Sequence, residues 1–147
     1  MKKQWYILSL IFFPCFIQAQ NYFAGANAGL GNTGVGNTGV GTNVLNSNSS
    51  GYYNSAFGFW ALQSNSTGYR NSAFGSNTLK FNTTGDFNSA FGDASLALNT
   101  TGDNNTAFGA ASLTSNTTGN KNTASGYHSL SSNTTGSTTV AFDRSRI

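Results

Sequence analysis

A repeat of seventeen residues constrains this chain more than any other feature. Written in rows of seventeen from Gly31, the sequence aligns without gaps, with rows beginning at Gly31, Asn48, Asn65, Asn82, Asn99, Asn116 and Asn133. The consensus is N-[ST]-T-G-x-x-N-[ST]-A-F-G-x-x-[AST]-L-x-x, clearest in Asn82 to Leu98 and Asn99 to Ser115. Self-similarity at a fixed period marks an architecture in which each repeat is one unit stacked on the next.

The columns of this alignment say what kind of unit. Position four is glycine in every row: Gly34, Gly51, Gly68, Gly85, Gly102, Gly119 and Gly136. Position eleven is glycine from Gly41 to Gly126 and changes only at Asp143. A column that admits only glycine needs either a positive φ or a close backbone approach, so two turns per repeat are expected, with a short segment after each. One segment carries the aromatic column Val40, Phe57, Phe74, Phe91, Phe108 and Phe142, interrupted by Ser125. The other carries Leu45, Leu62, Leu79, Leu96, Leu113 and Leu130, continued by Ile147. These are the large apolar positions kept through nearly every row, and both columns are expected to form the core. Their spacing does not follow the three- and four-residue steps of an amphipathic helix. An all-β parallel β-solenoid of about seven coils fits, rising about 34 Å at one strand spacing per coil.

Asparagine repeats as strictly as glycine. Asn48, Asn65, Asn82, Asn99, Asn116 and Asn133 form one column; Asn37, Asn54, Asn71, Asn88, Asn105 and Asn122 form another. Stacked amides can hydrogen-bond along the axis of a solenoid. These residues are therefore expected to be ladders and not catalysts, since a catalytic centre breaks a repeat at one place. The small column Gly39, Ala56, Ala73, Ala90, Ala107, Ala124 and Ala141 is expected to permit close approach between chains. Burial of one Phe and one Leu per coil does not by itself offset the backbone entropy of ordering seventeen residues. Self-association, as a trimer, is the expected remedy.

Three segments follow. Residues 1–19 read as a secretory signal peptide: Lys2 and Lys3 precede an apolar stretch from Trp5 to Phe16, with a small-residue cleavage context after Ala19. That stretch is shorter than the roughly 20 residues a membrane-spanning helix needs, and no transmembrane segment is expected in the mature chain. Cys15 lies within it after Phe12-Phe13-Pro14, a poor lipidation context, so the mature chain is expected to hold neither disulfides nor thiolate metal sites. Residues 20–30 read as a degenerate first coil one residue out of register, serving as a cap, and 31–147 as the repeat domain. Composition agrees with a secreted repeat: 20 Asn, 19 Ser, 18 Thr and 18 Gly make up about half of the chain. The net charge of +3 falls to +1 once Lys2 and Lys3 leave (3 − 2), which leaves little to neutralise phosphates, so no nucleic-acid partner is expected.

At Asn71-Ser72-Ala73-Phe74-Gly75 and its equivalents the sequence resembles the head repeats of trimeric autotransporter adhesins. It is more similar still to the NTTG-x-x-NTA-x-G repeats of bacterial secreted, tail-fibre-like proteins. The resemblance covers about residues 31 to 147 and implies a left-handed parallel β-roll, commonly a homotrimer, exposed on the bacterial cell surface for adhesion. The present repeat is longer than the usual adhesin repeat, and the resemblance carries neither an anchor nor receptor-binding residues onto this chain.

Residues able to do chemistry are few. His128 is the single histidine and stands in a variable column, without partners for a triad or a metal cluster. Asp86 and Asp103 share the fifth column, but Asn120 and Ser137 continue it and no calcium-binding signature is present. The four acidic residues are all Asp, so the paired carboxylates of a glycan hydrolase are not in evidence. Tyr52, Tyr53, Phe59, Trp60, Tyr69 and Arg70 cluster in the early coils and suit packing or stacking on sugar rings. The expectation is a secreted, extracellular or cell-surface protein without enzymatic activity or cofactor, structural or adhesive in role. Its partners would be copies of itself and a glycan or protein receptor. Two alternatives are a subunit assembling end to end into filaments, and an ice-binding solenoid using the threonine pairs from Thr83-Thr84 to Thr134-Thr135.

Overall fold

The structure, a computed structural model, describes residues 20–142. The expected leader and Ile147 lie outside the described residues. Eight three-residue strands follow in chain order: β1 (Tyr22–Ala24), β2 (Thr38–Val40), β3 (Ser55–Phe57), β4 (Ser72–Phe74), β5 (Ser89–Phe91), β6 (Thr106–Phe108), β7 (Thr123–Ser125) and β8 (Val140–Phe142). They form one parallel sheet in sequence order. From β2 onward each pairing advances seventeen residues, as in Ser72↔Ser89, Ala73↔Ala90 and Phe74↔Phe91. The first step is sixteen, Tyr22↔Thr38, so the degenerate first coil is one residue short. The chain is a β-solenoid whose coil length is the repeat length.

The strands differ from expectation in the face they turn inward. Successive side chains on a strand point to opposite sides, so the Ala and the Phe of each Ser-Ala-Phe cannot share a face. Ala56, Ala73, Ala90 and Ala107 are fully buried, while Phe57, Phe74 and Phe91 lie half-buried outside and Phe108 and Phe142 are exposed. Val40 is half-buried on the same outer side. The phenylalanine column is therefore no part of the core, and the alanine column is no surface for contact between chains. The cause is the narrow coil: each strand contributes one inward residue, and a fully buried Leu from the opposite wall stands across from it.

That opposite wall is not a second strand. After the glycine of column eleven, whose φ runs from 121° at Gly126 to 137° at Gly41, the chain passes through consecutive turns. The Leu residues there sit in the left-handed region, from 46° at Leu45 to 51° at Leu130. A non-glycine residue in that region costs roughly 1–2 kcal/mol, and complete burial of the isobutyl group, roughly 2–3 kcal/mol, offsets it. Backbone groups are satisfied between coils: Leu62 N–H donates to Thr78 O at 3.0 Å in the following coil, and Trp60 N–H to Thr42 O at 3.1 Å in the preceding one. The core is the Leu and Ala columns with Val44 and Ala61.

The two glycine columns serve different ends. Column eleven supplies the positive φ. Column four has no such φ and answers to crowding: a Cβ on Gly85 would stand 2.5 Å from both the Gly102 carbonyl oxygen and Asn82 Oδ1.

Candidate functional site

Most side-chain polarity of the coil interior is engaged in joining layers. In the ladder at column seven, Asn54 Oδ1 accepts the backbone N–H of Asn71 at 2.9 Å, and Asn54 Nδ2 donates to Gly68 O at 2.8 Å. In the ladder at column one, Asn65 Nδ2 donates to Asn48 Oδ1 at 2.6 Å and to the same Gly68 carbonyl at 2.9 Å. The pattern recurs through Asn82, Asn88, Asn99, Asn105, Asn116 and Asn122. Gly51, Gly68, Gly85, Gly102 and Gly119 each receive both ladders on one carbonyl, which explains their close packing. Trp60 Nε1 is the one buried side-chain polar atom without a partner among the described residues.

The carboxylates of column five take part in the same logic. Asp86 Oδ1 accepts the Tyr69 backbone N–H at 2.9 Å and Asp103 Oδ1 accepts that of Asp86 at 2.8 Å. Asn120 Oδ1 then accepts the Asp103 N–H at 2.7 Å and Ser137 Oγ that of Asn120 at 2.9 Å, so an amide or hydroxyl fills the same role. Desolvation pushes the Asp86 carboxyl above the usual carboxylate range, with the neighbouring Asp103 adding to the rise and the Tyr69 hydrogen bonds opposing it. Among the described residues no three His, Cys, Asp or Glu side chains converge as a metal site requires.

Three outer surfaces break the polar monotony. One is the corner of columns five and six in the early coils. There Tyr52 and Tyr69 stack at 4.7 Å, Tyr53 meets Tyr52 edge-on at 5.4 Å, and the Arg70 guanidinium lies 5.5 Å from the Phe87 ring centre. On another side Phe59 stacks on Trp60 at 4.3 Å and Lys80 Nζ stands 3.9 Å above the Trp60 ring. Lys80 escapes a column reading because it occupies a variable position in the coil after Trp60, three residues past Asn77, which shares the Trp60 column. His128 packs edge-on against Tyr127 at 4.2 Å.

The third surface is the outer face of the sheet. Phe57, Phe74, Phe91 and Phe108 form one continuous stack, with successive ring centres 4.8, 5.0 and 4.7 Å apart and planes within 10° of parallel. Beside it runs a row of Ser and Thr from Thr38 to Thr123, which gives way to Val140. None of the eight strands carries a charged residue. The strip is thus a neutral, apolar-and-hydroxyl band along the axis. No helix among the described residues is long and apolar enough to cross a membrane.

Compared with known proteins, the chain matches no family model, no curated protein and no solved structure.

Proposed function

We propose that this protein is a secreted, non-catalytic structural or adhesive element of a bacterial surface, a stiff stacked-coil body that self-associates and presents its outer faces to partners. The observation that carries this reading is the engagement of the interior amides: repeated in coil after coil, they join each layer to the next and converge on no single position. Such a body gains length and stiffness from repetition. Its contact surfaces are outside, where the phenylalanine strip and the Tyr52–Tyr69 corner offer rings to a glycan, a protein or another copy. Self-association passes to the phenylalanine strip, because the alanine column expected to mediate a trimer lies inside.

The ice-binding alternative draws less support. Thr83, Thr100 and Thr117 turn their hydroxyls onto the carbonyls of the next coil at 2.9, 3.0 and 3.0 Å. Thr84, Thr101 and Thr118 then remain as one exposed row instead of two.

Cell fractionation with surface labelling, paired with an attachment assay on cells lacking the protein, tests the proposal. The expected result is recovery of the protein in the surface or extracellular fraction, with attachment lost on deletion and restored by complementation. Recovery in the cytoplasm, or attachment unchanged by deletion, overturns it.

A further inference from the structure

Column six runs along the axis as a line of exposed side chains, Tyr53, Arg70, Phe87, Asn104 and Lys121, one per coil and all held at φ between 53° and 57°. Arg70 is the one arginine among the described residues, and it has a ring in the layer on each side. Among those residues its guanidinium has Phe87 beside it, 5.5 Å from the ring centre, and no carboxylate partner. Asp86, the acid of the next coil, spends its Oδ1 on the Tyr69 N–H. Tyr53, on the other side of Arg70, is 50% exposed. Its plane stands at 79° to that of Tyr52, which in turn stacks on Tyr69 within 7° along the axis. Tyr53 therefore lies along the axis with a face to offer, whereas the rings of the phenylalanine strip, stacked one above the next, turn their edges outward.

We propose that Tyr53 and Arg70 form a binding site for a pyranose that carries a carboxylate directly on its ring, a uronic or sialic acid at the end of a glycan. This deepens the adhesive reading above and rests on it. The C–H face of the sugar packs on the electron-rich face of Tyr53, and its carboxylate meets the Arg70 fork in two parallel hydrogen bonds. Arg70 stands one layer on from Tyr53, about 4.8 Å along the axis, a step of the size that separates a sugar ring from a carboxyl bonded to it. Phe87 stands behind the guanidinium as a positioning residue, holding it by a cation–π contact.

The occupant is an acidic sugar because an open ring face and an unpaired guanidinium meet here. The other cation among rings, Lys80, already lies against Trp60 at 3.9 Å and Phe81 at 5.0 Å. A neutral sugar would leave the Arg70 fork unused. An acidic peptide holds its carboxylates on flexible stems, with no flat C–H face beside them. A long polyanion following the axis would pass Asp86 and Asp103 in column five, whose charges oppose it, before reaching Lys121 three layers from Arg70. The corner thus suits one terminal charged sugar at its aromatic end. A single bidentate pair and one ring contact correspond to roughly millimolar binding, which many copies on one surface strengthen by multivalency.

Amide chemical-shift titration of the isotope-labelled protein tests this, with methyl glucuronide, methyl sialoside, methyl glucoside and acetate each taken to about 20 mM, a range that reads weak binding. Glucuronide and glucoside differ only in a carboxylate for a hydroxymethyl group. The expected result is saturable shifts centred on Tyr53 and Arg70 with at least one of the two acidic sugars, and binding about tenfold weaker or more for glucoside and for acetate. The acid that binds identifies the source of the carboxylate. Arg70→Ala weakens that binding about tenfold or more, Arg70→Lys by less because it keeps the charge without the fork, and Tyr53→Ala severalfold. Tyr53→Phe and Lys80→Ala leave it unchanged. Amide signals away from the corner report that each variant is folded. No saturable shift at the corner with either acid, equal binding by glucoside or acetate, or unchanged affinity in Arg70→Ala or Tyr53→Ala overturns the proposal. Each of these failures leaves the surface-element reading to its own test by fractionation and attachment.

Discussion

Asn71 Oδ1 accepts the backbone N–H of Asn88, its equivalent one coil on, at 2.9 Å and the Asn88 side-chain amide at 3.2 Å. Asn88 repeats the gesture toward Asn105 at 3.0 Å and donates its Nδ2 to Gly102 O at 2.8 Å. No other side chain of this size offers acceptor and donor in those two directions. Asn88→Ala strips partners from the buried Asn105 N–H and leaves Gly102 O with one donor fewer. One buried group left unsatisfied costs roughly 1–3 kcal/mol and the lost bond to Gly102 O, which keeps Asn99 as donor, roughly 0.5–1.5 kcal/mol, so the loss is about 2–4 kcal/mol. Asn88→Asp keeps the acceptor but turns a carboxylate oxygen on Gly102 O. Its loss is largest at neutral pH and shrinks as acid protonates the carboxyl and restores a donor. Urea unfolding of the three proteins at two pH values measures both effects.

Leu79→Ala and Phe74→Ala separate the core from the surface stack. Leu79 is fully buried, and truncation of such a residue costs about 2–5 kcal/mol. Phe74 loses two ring contacts, to Phe57 and Phe91, on the half-solvated outer face, where each is worth about 0.5–1.5 kcal/mol. Unfolding midpoints should therefore fall further for Leu79→Ala than for Phe74→Ala; the reverse order would place the aromatic column inside.

The same contrast shows what could be read from the chain alone. The coil length, the Leu column, both Asn ladders and both Gly columns were legible because parallel stacking converts sequence period directly into spatial register: Leu79 lies one layer from Leu96 for the same reason that they are seventeen residues apart. The facing of Phe74 was not legible from hydrophobicity, because a flat outer stack repeats as faithfully as a core. The available signal was strand alternation joined to tolerance. The neighbouring column admits only Ala and Gly39, as a confined interior requires, while the aromatic column admits Val40 and Ser125. The three left-handed positions per coil had no compositional mark either, since Leu, His and Lys occupy them without preference for glycine.

Asp86 makes stability depend on pH in an unusual direction. Its carboxyl is raised above the ordinary range, chiefly by desolvation, so the protonated form is the one the fold favours. Its contribution is fully present below the unfolded-state pKa, about 4, and is lost as pH rises through the higher folded-state value. Asn120 performs the same hydrogen bond without a charge. Asp86→Asn should retain the bond to Tyr69 N–H, flatten the melting temperature between about pH 4 and pH 7, and melt slightly higher than the native chain at neutral pH. A melting temperature that rises with pH in the native protein, or falls in the variant, contradicts this.

Glycine should have opposite effects at two positions of the same coil. At Gly92, φ is 127° and a Cβ would stand 2.6 Å from the Gly109 carbonyl carbon, so Gly92→Ala combines strain with collision. Together these should cost about 3 kcal/mol or more. Two residues later Ala94 holds φ at 53°, where an L-residue bears the left-handed penalty without the burial that compensates Leu96. Ala94→Gly removes a penalty of roughly 1–2 kcal/mol and adds part of glycine's unfolded-state entropy, leaving a net gain of up to about 1 kcal/mol. Asn, which occupies the equivalent positions at Asn43 and Asn77 with φ of 55°, tolerates this region better than most residues, and Ala94→Asn should gain a smaller amount. Urea midpoints ordered Ala94→Gly, Ala94→Asn, native and Gly92→Ala, from most to least stable, are the expected outcome. Gly92→Ala matching the native midpoint would mean that the coil can move its neighbour aside.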